Sequence, residues 1–161
     1  MGPLSVNVIA SQTNLLVNRF GSFSGMFSGQ ASSVTWAFGD GQVLSNPGVT
    51  VAHEWTNAGT YTVTFTAFNN DNPAGVANNI SIFVQPLNPP QLQAGVLLTN
   101  GFEFQFAGQT NANYTIQYAT NLVPPVAWQT WQTIYSSSGG LQQITDTNTV
   151  PGTKFYRVTV Q

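Results

Sequence analysis

The chain has 161 residues and a net charge of −2, and charged residues make up only 5% of it, against roughly 25% in an average soluble domain. Its three cations, Arg19, Lys154 and Arg157, cannot neutralise a run of phosphates, which excludes nucleic acid as a partner. No apolar run approaches the ~20 residues of a spanning helix, so membrane insertion is not expected.

Hydrophobic residues at 42% and aromatics at 12% supply a core for one large or two small domains, the reverse of a disordered composition. With no cysteine, disulfides and thiolate chemistry are excluded. The opening stretch, Met1-Gly-Pro-Leu-Ser5, has neither a basic region nor a long apolar run, so no signal peptide is expected in it.

Helical periodicity is absent; short alternating runs recur between Gly, Pro and Asn clusters, the all-β pattern. Val34, Trp36 and Phe38 form the first clear run. Tyr61, Val63, Phe65 and Ala67 alternate with Thr62, Thr64 and Thr66, giving an apolar face and a threonine face. Val76, Asn78, Ile80, Ile82 and Val84 form a less regular third run. Three prolines among residues 86–90 then exclude both helix and central strand, which predicts a linker.

The same alternation restarts beyond it. Phe102, Phe104 and Phe106 form one run, Tyr114, Ile116 and Tyr118 another, and Tyr156, Val158 and Val160 share a face of the last. The predicted fold is all-β: two tandem immunoglobulin-like antiparallel sandwiches of roughly seven strands each. Their predicted spans are residues 1–85 and 91–161, with no sequence repeat between them.

Within the first span, Trp36-Ala-Phe38-Gly39-Asp40-Gly41 is followed by His53-Glu-Trp55 and then Gly59-Thr-Tyr61-Thr-Val63. These linked motifs resemble the polycystic kidney disease (PKD) domain, with Trp55 where that family usually has tyrosine. Each residue also has a structural explanation. Trp36 and Phe38 share a face and belong in the core, while Gly39 and Gly41 permit positive φ in a tight turn. The Asp40 carboxylate accepts backbone N–H groups inside that turn. His53, the only histidine, is expected to be half-buried and hydrogen-bonded near the turn, since a catalytic base needs a nucleophile or metal to serve. Some members of the resembling family bind calcium, which makes Asp71 in the Asn69–Gly75 loop the one candidate metal ligand. A single carboxylate among amides falls short of the six to eight oxygens calcium takes, so no metal and no cofactor are expected.

The second span carries Phe104-Gln-Phe-Ala-Gly108, Tyr114-Thr-Ile-Gln-Tyr-Ala-Thr-Asn-Leu122, Trp128, Asp146 and Phe155-Tyr-Arg-Val158. It resembles a fibronectin type III-like module of bacterial secreted proteins. That resemblance puts Trp128 and Tyr156 in the structural motif, with Trp128 as the core tryptophan. Trp131, three positions on, should face the other way. With Tyr135 it is either a candidate ligand platform, as in carbohydrate-binding modules, or a second tryptophan at the rim of the core. Asp146 and Arg157 are expected to pair across the module.

Catalysis needs paired carboxylates, a nucleophile–base couple or a metal cluster. Five scattered acids, one histidine and no Gly-x-Ser-x-Gly elbow provide none of these, so the chain is not expected to be an enzyme. The expected role is that of an extracellular structural or adhesive pair. Its uncharged strand edges lack the guarding lysines of most sheets and would meet other copies or sister β-modules. The alternative is an accessory carbohydrate-binding or spacer segment of a secreted polysaccharide-degrading enzyme.

Overall fold

A computed structural model describes residues 3–148 and 152–161. The chain forms two compact units, Met1–Pro86 and Leu87–Gln161.

The first unit is built from β1 (Ser5–Ala10), β2 (Asn14–Leu16), β3 (Phe20–Ser28), β4 (Ser33–Ala37), β5 (Val43–Ser45), β6 (Thr50–Glu54), β7 (Gly59–Asn69) and β8 (Asn72–Gln85). One sheet runs β1-β3-β6 and the other β2-β8-β7-β4-β5. The alternation in β7 sends Val63, Phe65 and Ala67 into the core and the intervening threonines outward. Phe23 of β3 meets them from the opposite sheet, and Trp36, Phe38, Phe65 and Ile82 are fully buried with it. The chain changes sheets early: β1 pairs antiparallel with β3, whereas β2 runs parallel to the end of β8.

The third expected run is the strand β8, which starts earlier than its apolar residues suggest and includes Pro73 and Gly75. The preceding Asn-rich stretch is a tight hairpin turn leading into that strand. In it Asn69 Oδ1 accepts from both the backbone N–H and the side-chain amide of Asn72, at 2.9 Å each.

The second unit contains β9 (Val96–Leu98), β10 (Gly101–Gly108), β11 (Ala112–Ala119), β12 (Gln129–Ser136), β13 (Gly140–Asp146) and β14 (Phe155–Val160). Its sheets run β13-β10-β9 and β12-β11-β14. Phe104, Phe106, Tyr114, Ile116, Ile144 and Val158 are buried within it. Residues 86–91 form no strand, and Leu92 makes an isolated bridge to Phe106.

Candidate functional site

In the first unit the motif residues converge on one end of the core. Gly39 has φ 79°, and a Cβ there would lie 2.8 Å from the Thr62 backbone nitrogen, so both conformation and space demand glycine. The turn it opens lets Asp40 Oδ1 accept the Gln42 N–H at 3.0 Å, while Asp40 Oδ2 accepts from His53 Nε2 at 2.7 Å. Burial alone would raise the Asp40 carboxyl. The bonds from Gln42 and His53 outweigh it and hold the group below the ordinary carboxylate value.

The His53 ring is itself enclosed. It stacks on Phe38 with centroids 4.0 Å apart and meets the Trp55 ring edge-on at 4.6 Å. Trp55 donates its indole N–H to the Phe38 carbonyl at 3.2 Å and stacks on Tyr61, whose hydroxyl donates to Asn57 O. Trp36 donates to Gly48 O at 3.1 Å. Gly41 has φ 95° in the same turn, and Gly59 lies beside the Tyr61 ring. The Asp40, His53, Trp36, Trp55 and Tyr61 polar groups each bond within the protein, which ties the turn to the core. Asp71 is exposed at its hairpin, and among the described residues no three His, Cys, Asp or Glu side chains come together.

The second unit differs from expectation in its charges and its tryptophans. Asp146 is buried at 5% exposure and pairs with Lys154, not Arg157: Lys154 Nζ donates to Oδ2 at 2.8 Å, Tyr156 Oη to the same oxygen at 2.7 Å, and the Asn148 N–H to Oδ1 at 2.8 Å. The reason is strand parity. Lys154 and Tyr156 share the inward side with Asp146, and Arg157 points to the opposite face, where its Nε donates to Gln117 Oε1 at 2.7 Å. Burial would raise the Asp146 carboxyl, but the bonds from Lys154, Tyr156 and Asn148 lower it on balance. Burial first, and the carboxylate second, push the Tyr156 phenol well above its ordinary value.

Trp128 is not the core tryptophan. It is half-buried on the outer side, its ring 4.4 Å from the Arg157 guanidinium. Trp131 is also half-buried: the register jumps from Ile116↔Gln132 to Gln117↔Thr130, which makes it the bulged residue, and its ring turns toward Tyr156 at 6.3 Å. The buried aromatics of this core are instead Phe104, Phe106 and Tyr114.

Tyr135 is 60% exposed. It belongs to the outer face of β12-β11-β14, which includes three cross-strand rows before the Ala119↔Phe155 pair. Tyr135 faces Asn113; Thr133, Thr115 and Thr159 form the middle row; Thr130, Gln117 and Arg157 form the last. Gln117 bridges its row by donating to Thr130 Oγ1 at 3.1 Å. The Tyr135 hydroxyl donates to Asn111 Oδ1 at 2.8 Å, which pins the exposed ring. Asn111 stands at the positive-φ turn between β10 and β11 (φ 62°), a role that only its Asn identity hinted at in the sequence.

Residues 4–81 match the PKD domain family. No curated protein matches the sequence. Among solved structures, carbohydrate-binding modules of the β-sandwich superfamily align at 13% identity and TM-score 0.48, over 99% of this chain and 96% of theirs. Fibronectin(III)-like modules of Clostridium thermocellum CbhA align at 10% identity and TM-score 0.41, over 96% of this chain and 85% of theirs. Residues 4–81 are thus similar to the PKD domain, and the second unit is an antiparallel β-sheet domain of its own.

Proposed function

We propose that this pair is a non-catalytic extracellular accessory segment whose second module lays a neutral polysaccharide along the outer face of β12-β11-β14. The observation that carries this reading is Tyr135: a ring 60% exposed, yet fixed by its bond to Asn111. An exposed aromatic held in one orientation offers an apolar plane to a sugar ring at little entropic cost. Beyond it lie the exposed Thr133, Thr159 and Thr130 hydroxyls and the Gln117 amide, with Thr115 buried among them, and they extend the face for roughly 13 Å along β11, long enough for a short run of sugar units. Arg157 is the only charge in those rows, and its guanidinium is engaged by Gln117 and Trp128. A neutral, hydroxyl-rich chain matches such a face; an anionic one finds little to neutralise.

Affinity electrophoresis and pull-down on neutral glycans (cellulose, xylan, mixed-linkage glucan, chitin) test it. Retention should appear on at least one, and Tyr135→Ala should weaken it by about tenfold or more, the equivalent of ~1.4 kcal/mol. No retention on any of them, or retention indifferent to Tyr135→Ala, overturns the reading.

A second reading, contact with other copies or sister β-modules, draws on the first unit. The outer rows of its five-stranded sheet put Asn79 beside Thr64 and Ala37, and Ala77 beside Thr66 and Thr35. Those rows hold no charge to repel an incoming sheet. Lysines at Thr62, Thr64 and Thr66 would abolish concentration-dependent sedimentation if copies meet there.

A further inference from the structure

At one end of the second sandwich, the start of β10, the end of β13 and the start of β14 surround a pocket of about 460 Å³. That volume lies inside the range of roughly 300–1,000 Å³ typical of small-molecule sites. One wall is apolar: Leu97 and Leu98 of β9, with the Phe102 ring, which stacks on Tyr156 at 5.4 Å and 15°. The chain presses so closely on that ring that a Cβ at Gly95 would fall within 2.1 Å of its Cζ. The ring therefore lies closely between Gly95 and Tyr156.

The polar wall is formed by Asp146, Lys154 and Asn148, with Thr99 at the rim. Asp146 and Lys154 neutralise each other at 2.8 Å, with side-chain exposures of 6% and 16%. Two of the ammonium hydrogens go to Asp146 Oδ2 and Asn148 O, and an ammonium has a third to give. The Asn148 amide and the Thr99 hydroxyl can each donate and accept. The wall therefore bears hydrogen-bonding capacity without net charge, with the Lys154 ammonium and the Asn148 backbone held by Asp146.

An aromatic and leucine wall together with a neutral donor–acceptor wall fits a compact ligand with one apolar face and hydroxyls around its edge. We infer that this pocket binds one neutral sugar unit, the terminal residue of a glycan chain. This deepens the proposed function, on which it rests, by assigning chain ends to the pocket and chain interiors to the Tyr135 face.

The test is amide chemical-shift mapping on the full chain, titrated with neutral monosaccharides (glucose, galactose, mannose, N-acetylglucosamine), with glucuronate, and with a soluble neutral polysaccharide. A neutral monosaccharide should shift Gly101, Phe102, Asn148, Lys154 and Tyr156 with a Kd on the order of 1 mM. Asn148→Ala, which leaves the backbone bonds of that residue intact, and Leu97→Lys, at a position 83% exposed, should each weaken these shifts about tenfold or more. Tyr135→Ala should leave them unchanged. Polysaccharide shifts confined to Tyr135 and its rows, with no monosaccharide response at the pocket, overturn the pocket assignment and leave the platform standing. Pocket shifts that persist when the platform binds no polysaccharide overturn the platform alone. A stronger response to glucuronate than to every neutral sugar refutes the choice of ligand class.

Discussion

Asp146→Ala removes the carboxylate that accepts from Lys154, Tyr156 and the Asn148 N–H. Both members of the ion pair are largely withdrawn from water, so the variant leaves a mostly buried ammonium with one remaining acceptor, the Asn148 carbonyl. Breaking a buried pair by deleting one partner costs about 3–5 kcal/mol, most of it the penalty for the stranded charge. Removing both charges, in Asp146→Leu with Lys154→Met, should cost much less, because nothing charged is left inside. Urea unfolding followed by fluorine NMR on fluorotryptophan-labelled protein separates the units, since Trp36 and Trp55 report on the first and Trp128 and Trp131 on the second. The second-unit signals should move to lower urea in the single variant and recover in the double. A single variant that loses less than about 1 kcal/mol would mean the pair behaves as an exposed one, and the reasoning fails.

Acid should destabilise both units. Asp40 and Asp146 have folded pKa values below the unfolded one, so their contribution is present above about pH 4 and is lost as the pH falls through the folded values. Asp40→Asn should flatten that dependence in the first unit alone, read from the same fluorine signals. Tyr156 is shifted upward; its contribution is complete below about pH 10 and fades above it, so the second unit should lose urea resistance in strong alkali and Tyr156→Phe should not. Trp36→Ala, at a fully buried site, should cost about 3–5 kcal/mol by cavity formation and lower only the first unit's thermal midpoint in calorimetry. Gly39→Ala should cost at least the ~1–2 kcal/mol of a left-handed alanine, and more because its Cβ meets the Thr62 backbone; an unchanged midpoint would rule that contact out.

The first unit's long central strands were legible because β4 and β7 alternate without interruption, and side-chain parity follows directly from that. The turn motif gave the Asp40–His53 neighbourhood, since Gly39 and Gly41 have no other reason to flank an aspartate. The short strands β2, β5 and β9 were not legible: three residues carry no periodicity, and pairing with a neighbour makes them strands. Trp128 and Trp131 do lie on opposite sides, but which one faces inward was misread, because the bulge at Trp131 reverses the parity counted back from Tyr135. The Asp146 partner could have been found by parity, for Arg157 lies between Tyr156 and Val158, both already placed inward. The pocket had no sequence signal, because it is assembled from strand ends far apart in the chain.

The parallel pairing of β2 with the end of β8 also governs how the first unit bears load. Parallel strands start and finish at opposite ends, so tension that draws the entry to β2 and the exit from β8 apart slides one strand along the other. The backbone bonds there, including Val17 N–H to Gln85 O at 2.9 Å and Phe83 N–H to Thr13 O at 2.8 Å, lie across that motion and must break together, whereas a hairpin pulled from its open end gives way one bond at a time. A segment wired in this way holds its length under pull until the whole seam fails.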